Sequence, residues 1–312
     1  ASFKAVNLLL DAGLEVRRVD DPAAGLRTGD FLVSGGSEDL LEEVAEAAGV
    51  DFTPVTAAPE AGLHDVRRMR VGMYHRYRGG NMDEGWTRFL LEQFAFPYTS
   101  LSPEEINKGN LRSSYDVIVF PDDSTATIRG EEEEDRNPYW PAPNFPPEYM
   151  GGVDEQGVNA LKAFVDSGGM LVSLGEATEF AIDTFDLEVR NALENLDSKE
   201  FYCPGSTLEA RFDNSNPLAY GMPSKGLVLF WNSPAFEIAP SRENDRYEIP
   251  VRYAERDLLQ SGWLIGEEHL AKKAAMVSAG YGRGQVLLIG FPAQHRAQTH
   301  GTFKLLFNTM LR

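Results

Sequence analysis

The stretch Gly168–Ile182, GGMLVSLGEATEFAI, limits the fold more than any other part of the chain. Before it, Asp154–Asp166 places Val158, Leu161, Phe164 and Val165 at helical spacing, and Gly168-Gly169 stop that helix. Met170–Leu174 is then a short apolar run suited to a strand covered on both faces. Gly175 turns the chain, and a second helical run starts near Ala177. Helix, strand, sharp turn, helix is a unit of an open α/β sheet, in which ligands bind beyond the carboxyl ends of the strands. A nucleophile often occupies such a turn. Here the turn holds Gly175, Glu176 and Ala177, with no serine or cysteine.

The flanking sequence extends the pattern. Met69–Tyr74, Tyr98–Leu101, Tyr115–Phe120 and Gln285–Gly290 read as strands, with a helix at Asp83–Phe94 and a short one opened by Pro103. This βαβα order implies α/β architecture with a doubly wound, mostly parallel sheet. Ser206–Phe212, Gly226–Trp231, Tyr247–Tyr253 and Ala274–Ala279 read as an antiparallel extension, and Thr302–Leu311 as a closing helix. Helical character is expected to continue from Ile182 to about Leu196. Residues 1–62 read as a small α+β unit: an amphipathic helix over 1–13, strands at Leu14–Val19, Phe31–Val33 and Asp51–Val55, and a helix capped by Ser37. AAPEAGL at 57–63 has linker composition, which gives two domains, 1–62 and 63–312. Asp122–Gly152 reads as a long surface excursion, a lid over the sheet edge.

Charge narrows the partners. Forty-eight acidic and 29 basic residues leave a formal charge of −19. So acidic a surface argues against a nucleic-acid backbone and disfavours anionic membranes. No apolar run is long enough for a membrane span. The single cysteine, Cys203 in FYCPGS, rules out an internal disulfide and a Cys-based zinc site, and its place before Pro-Gly suits a half-buried thiol in a turn. The five histidines show neither H-x-x-E nor H-E-x-x-H pairing, so no metal site and no cofactor are expected in this chain.

In a parallel sheet the strand ends gather on one side. The first core strand ends in His75, before Asp83; the third ends in Asp122; the fourth in Glu176; the last in FPAQHRAQTH, with His295, Arg296 and His300. Glu176, His295, Arg296, His300, Asp122, His75 and Asp83 are therefore candidates for binding a small polar ligand, and carboxylates beside histidines can also do acid–base work. None of them is assigned as catalytic.

The segments RVGMYHRYRGGNMDEGWTRFLLEQFAFPYTSL, YDVIVFPD, GVNALKAFVDSGGMLVSLGEATEFAI, FYCPGS, NPLAYGMP, SGWLIGEE and GFPAQHRAQTHGTFKLLFN occur together and in order. This set resembles the carboxy-terminal region of large bacterial zinc-carboxypeptidase-like proteins, whose upstream part is similar to carboxypeptidase A. SFKAVNLLLDAGLEV resembles the segment that follows the peptidase domain there. The resemblance implies a class I glutamine-amidotransferase-like, flavodoxin-like fold for Met69–Arg312. It also leans toward an exported protein. The peptidase's H-x-x-E pair and later histidine have no counterpart in these 312 residues. The amidotransferase cysteine would fall near Gly175-Glu176, and its histidine near His295.

Three functions are carried forward. The favoured one is a non-catalytic accessory domain that binds a ligand or packs against an upstream peptidase domain or another copy of the chain. The alternative is a hydrolase with an atypical site of Glu176, Asp122 and His295. The third is a self-associating module that buries Tyr139, Trp140 and Phe145.

Overall fold

The computed structural model describes residues 1–23, 25–59, 61–76, 80–131, 151–240 and 244–312. It contains two sheets. The small one is antiparallel, in the order β2-β1-β3 with β1 Glu15–Val19, β2 Phe31–Ser34 and β3 Leu63–Asp65. Residues 51–55, expected as its third strand, form none. Pro54 has no N–H to give to a ladder there, and β3 pairs with β1 instead, Arg17 opposite Asp65. The helices α1 Ser2–Asp11 and α2 Glu38–Ala48 complete this part, α2 capped by the Ser37 hydroxyl and closed by Gly49 in the left-handed region.

The core of the large sheet is parallel. Its strands are β4 Val71–Tyr74, β5 Thr99–Leu101, β6 Val117–Phe120, β7 Met170–Leu174 and β15 Gly284–Ile289. They lie in the order β5-β4-β6-β7-β15, every neighbouring pair parallel. Numbered along the chain this is 2-1-3-4-5, the flavodoxin-like order, whose switch point lies between the first and third strands, here β4 and β6. The doubly wound α/β fold expected from the sequence is thus present. β14 Ala274–Tyr281 joins β15 antiparallel, and β12 Tyr247–Tyr253, β9 Ser206–Phe212 and β10 Lys225–Phe230 continue outward from it.

Alternation along the parallel strands divides the core. Val117 and Val119 point to one face with Met73, Val172 and Leu287, while Ile118 and Phe120 point to the other with Tyr74, Leu171 and Leu288. The first face is covered by α3 Met82–Gln93, α10 Phe303–Phe307 and α1, with Phe3 packed 5.3 Å from Phe307. The second is covered by α4 Pro103–Lys108, α5 Leu111–Ser114, α7 Glu155–Asp166 and α8 Ala177–Phe185. The capping box of Ser102 and Glu105 fixes the start of α4, and Asp154 that of α7.

Several sequence expectations are corrected. The helix expected to reach Leu196 ends at Phe185, because Asp186 takes a left-handed conformation (φ 49°), and a strand, β8 Val189–Asn191, follows. β11 Phe236–Ile238, β13 Leu259–Ser261 and α9 Glu267–Leu270 are too short to leave a periodic signature. The expected excursion begins as α6 Thr125–Arg129, capped by Ser124. Residues 132–150 of it, with Tyr139, Trp140 and Phe145, lie outside the described residues.

Candidate functional site

The carboxyl ends of the parallel strands meet around a group of carboxylates. Asn81 starts the assembly. Its side-chain oxygen caps α3 by accepting from the Asp83 and Glu84 N–H groups. Its amide donates to the Asp122 carbonyl (3.0 Å) and to Asp123 Oδ2 (3.2 Å), which ties the helix to the end of β6. Asp83 then accepts at both oxygens: from the Asp122 N–H (3.0 Å) and from the Gln294 amide (2.5 Å). Gln294, beyond β15 and 1% exposed, also donates to Thr87 Oγ1 (3.1 Å). Asp123 is paired with Arg76 at 2.5 Å. These bonds tie the start of α3 to the ends of β6 and β15, and the Arg76 pair ties β6 to the end of β4, so the group holds β4, β6, β15 and α3 in one frame.

The turn after β7 completes it. Gly175 has φ +55°, a conformation that an L side chain adopts at a cost. A Cβ built there would overlap the Asp122 carboxylate, whose farther oxygen would be 2.8 Å away. Asp122 Oδ1 also accepts the Glu176 N–H at 2.7 Å. In a nucleophile elbow the strained residue carries the reactive atom, and the next N–H binds the oxyanion. Here one carboxylate takes both places: it fills the space of the nucleophile's Cβ and occupies the N–H that would receive an oxyanion.

Crowding of like charge in a partly dry place sets the protonation. Removal from water pushes Asp83 up to about 6, with Asp122 and Glu84 adding repulsion against its hydrogen bonds. Asp122, Asp123 and Glu176 are raised by the same loss of water, with Asp123 adding to Asp122, and Asp122 and Glu179 adding to Glu176.

Of the residues expected to share the crevice, Asp83, Asp122 and Glu176 do. His75 lies on its α3 side, 3.3 Å from the buried Glu84. The His295 ring stacks on Trp231 at 5.6 Å, and its pKa is lowered by burial and by Arg296 rather than raised by a carboxylate. Arg296 sits in a left-handed turn (φ 51°), and His300 packs on the Phe303 ring at 4.9 Å. No hydrogen bond or ion pair joins His295 to Glu176 or Asp122 among the described residues. Among the described residues, no group of three or more His, Cys, Asp or Glu side chains is arranged to hold a metal ion. Cys203 is buried; burial raises its thiol pKa, opposed by Ser206 and the Gly205 N–H, with no imidazole acting on it. Asn81, Asp123 and Gln294 were not selected from the sequence. An Asn two residues before an Asp at a helix start is a capping signal that points to the first of them; nothing local points to Gln294.

No protein-family model matches the chain, and no curated protein does. The neighbours among solved structures are distant. One, described as a ThuA-like protein from Bacteroides uniformis, is 13% identical over 83% of this chain and 94% of its own, with a TM-score of 0.45. A cytoplasmic protein from Salmonella typhimurium is 15% identical, covering 77% of this chain and 97% of its own, with a TM-score of 0.45. A protein from Thermoplasma acidophilum, described as one component of a GMP synthase, is 10% identical, covering 78% and 94%, with a TM-score of 0.44. The flavodoxin-like architecture rests on the strand order of this chain itself. None of these three neighbours is described as a carboxypeptidase.

Proposed function

We propose that this chain is a non-catalytic accessory domain, a binding or scaffold unit built on an amidotransferase-like frame. One observation carries the reading: the Asp122 carboxylate fills the elbow at Gly175 and accepts the Glu176 N–H, so neither a nucleophile nor an oxyanion has room. The hydrogen bonds of Asp83, Asn81 and Gln294 support it, because they commit these polar groups to holding the strand ends together. The ordered sequence motifs support a finer form of the proposal, in which the domain serves a zinc-carboxypeptidase-like protein. Its partner would then be an upstream peptidase domain or another copy of the chain, and its place outside the cytoplasm.

The test is a screen of ester, amide and glycoside substrates against the native chain, Glu176→Ala and His295→Ala. The expected result is no turnover above the uncatalysed rate in any of the three. Turnover by the native chain that either substitution abolishes overturns the reading in favour of an atypical hydrolase.

A further inference from the structure

The antiparallel extension contains a cavity of about 730 Å³, far from the carboxylate frame in character. It lies at the start of β14, where Ala274 pairs with Phe236 of β11 and with Arg252 of β12, and β8 pairs with β11. Its walls carry Arg190, Arg252, Lys272 and Lys273 against a single carboxylate, Glu237. In a chain of charge −19, four cations facing one anion is a strong local reversal. The remaining lining is mostly apolar, including Phe236, Ile238 and Ile249.

Three of the cations are engaged. Glu237 holds both Arg190 (Nε at 2.9 Å) and Lys273, and Lys272 pairs with Glu255 at 2.5 Å. Arg252 differs. Among the described residues it has no ion pair or side-chain hydrogen bond, and the only influence on its pKa is a lowering by loss of water. The β12 ladder shifts register between Val251 and Arg252, the kind of irregularity that re-aims a side chain. Arg252 is exposed to water at the cavity wall with no protein acceptor among the described residues, and its planar fork suits an oxyanion that enters the cavity.

We infer that this cavity binds a phosphomonoester with an apolar body, the phosphoryl group on Arg252 and its neighbouring cations and the body against Phe236, Ile238 and Ile249. The volume lies within the range of small-molecule sites. With Glu237 on the wall and Glu255 on Lys272, the four cations exceed the carboxylates by two, which matches a phosphomonoester, close to dianionic above its second pKa of about 6, better than a singly charged carboxylate. The proposal concerns a site separate from the elbow and stands whether or not the elbow is inert.

Phenyl phosphate, benzoate and inorganic phosphate, titrated calorimetrically at pH 8 and low salt, test it. The expected result is saturable binding of one phenyl phosphate with a Kd near or below about 1 mM, and weaker binding of the other two. Arg252→Gln, at an exposed position, should fold normally and raise that Kd about tenfold. Arg190→Gln, at a side chain 75% exposed, gives a second variant that also weakens binding, because it frees the Glu237 charge. No saturable binding of phenyl phosphate at about 10 mM overturns the site. So does an unchanged Kd in both variants. Benzoate binding as tightly as phenyl phosphate overturns the assignment to a phosphomonoester.

Discussion

The two polar regions of this protein use their charges in opposite ways. At the parallel strand ends, the carboxylates of Asp83, Asp122 and Asp123 are spent on backbone N–H groups, amides and Arg76. In the antiparallel extension, Arg252 keeps its donors unspent beside a cavity. The first region holds the fold together, and the second is open to a ligand. Clustered polar residues at the expected place in an α/β sheet are therefore not a site in themselves: what matters is whether any hydrogen-bonding capacity is left over.

The largest effect is expected at the elbow. Gly175→Cys sets a side chain at φ +55° and against the Asp122 carboxylate, and should cost about 3 kcal/mol or more in denaturant unfolding. Adding Asp122→Ala should recover part of that loss, since it clears the overlap. Losses that simply add would mean that Asp122 does not fill the elbow and would break the contrast.

Gln294→Ala comes next. It removes a buried amide that binds Asp83 and Thr87, leaving Asp83 Oδ1 without that donor, and should destabilise by about 2 kcal/mol. A loss below about 0.5 kcal/mol would show that the frame does not depend on this tie.

The smallest effect is on pH dependence. The folded state holds the Asp83 proton up to about pH 6, whereas the unfolded chain releases it near 3.8. Between those values the folded state binds more protons, so its stability falls as pH rises through the window and the full penalty is present above it. Asp122, Asp123 and Glu176 are shifted in the same direction. Unfolding midpoints from pH 4 to 7 should show a shallower decline in Asp83→Asn than in the native protein. Parallel curves would show that Asp83 titrates alike in both states.

Periodicity placed the parallel strands and the helices between them, because burial on one or both faces is written directly into the spacing of apolar residues. It failed at Asp51–Val55 and beyond Phe185, where single residues, Pro54 and Asp186, decide the outcome against the surrounding pattern. The candidate site was half legible. Strand ends must collect Asp83, Asp122 and Glu176 wherever the sheet is parallel. His295 follows the same rule, but its ring stacks on Trp231, far away in the chain, and the sequence carries no sign of that contact because the packing partner of a loop side chain is set by the tertiary fold.

The amino-acid order by itself determined the layers, the parallel core and the missing thiol at the elbow, since each follows from local pattern or from residue identity. Only the tertiary structure decided that Asp122 occupies the vacant elbow, that Gln294 reaches Asp83, and that Arg252 stands among cations without a partner among the described residues. Those outcomes depend on distances between residues far apart in the chain, and a charge is committed or available according to its neighbours in space.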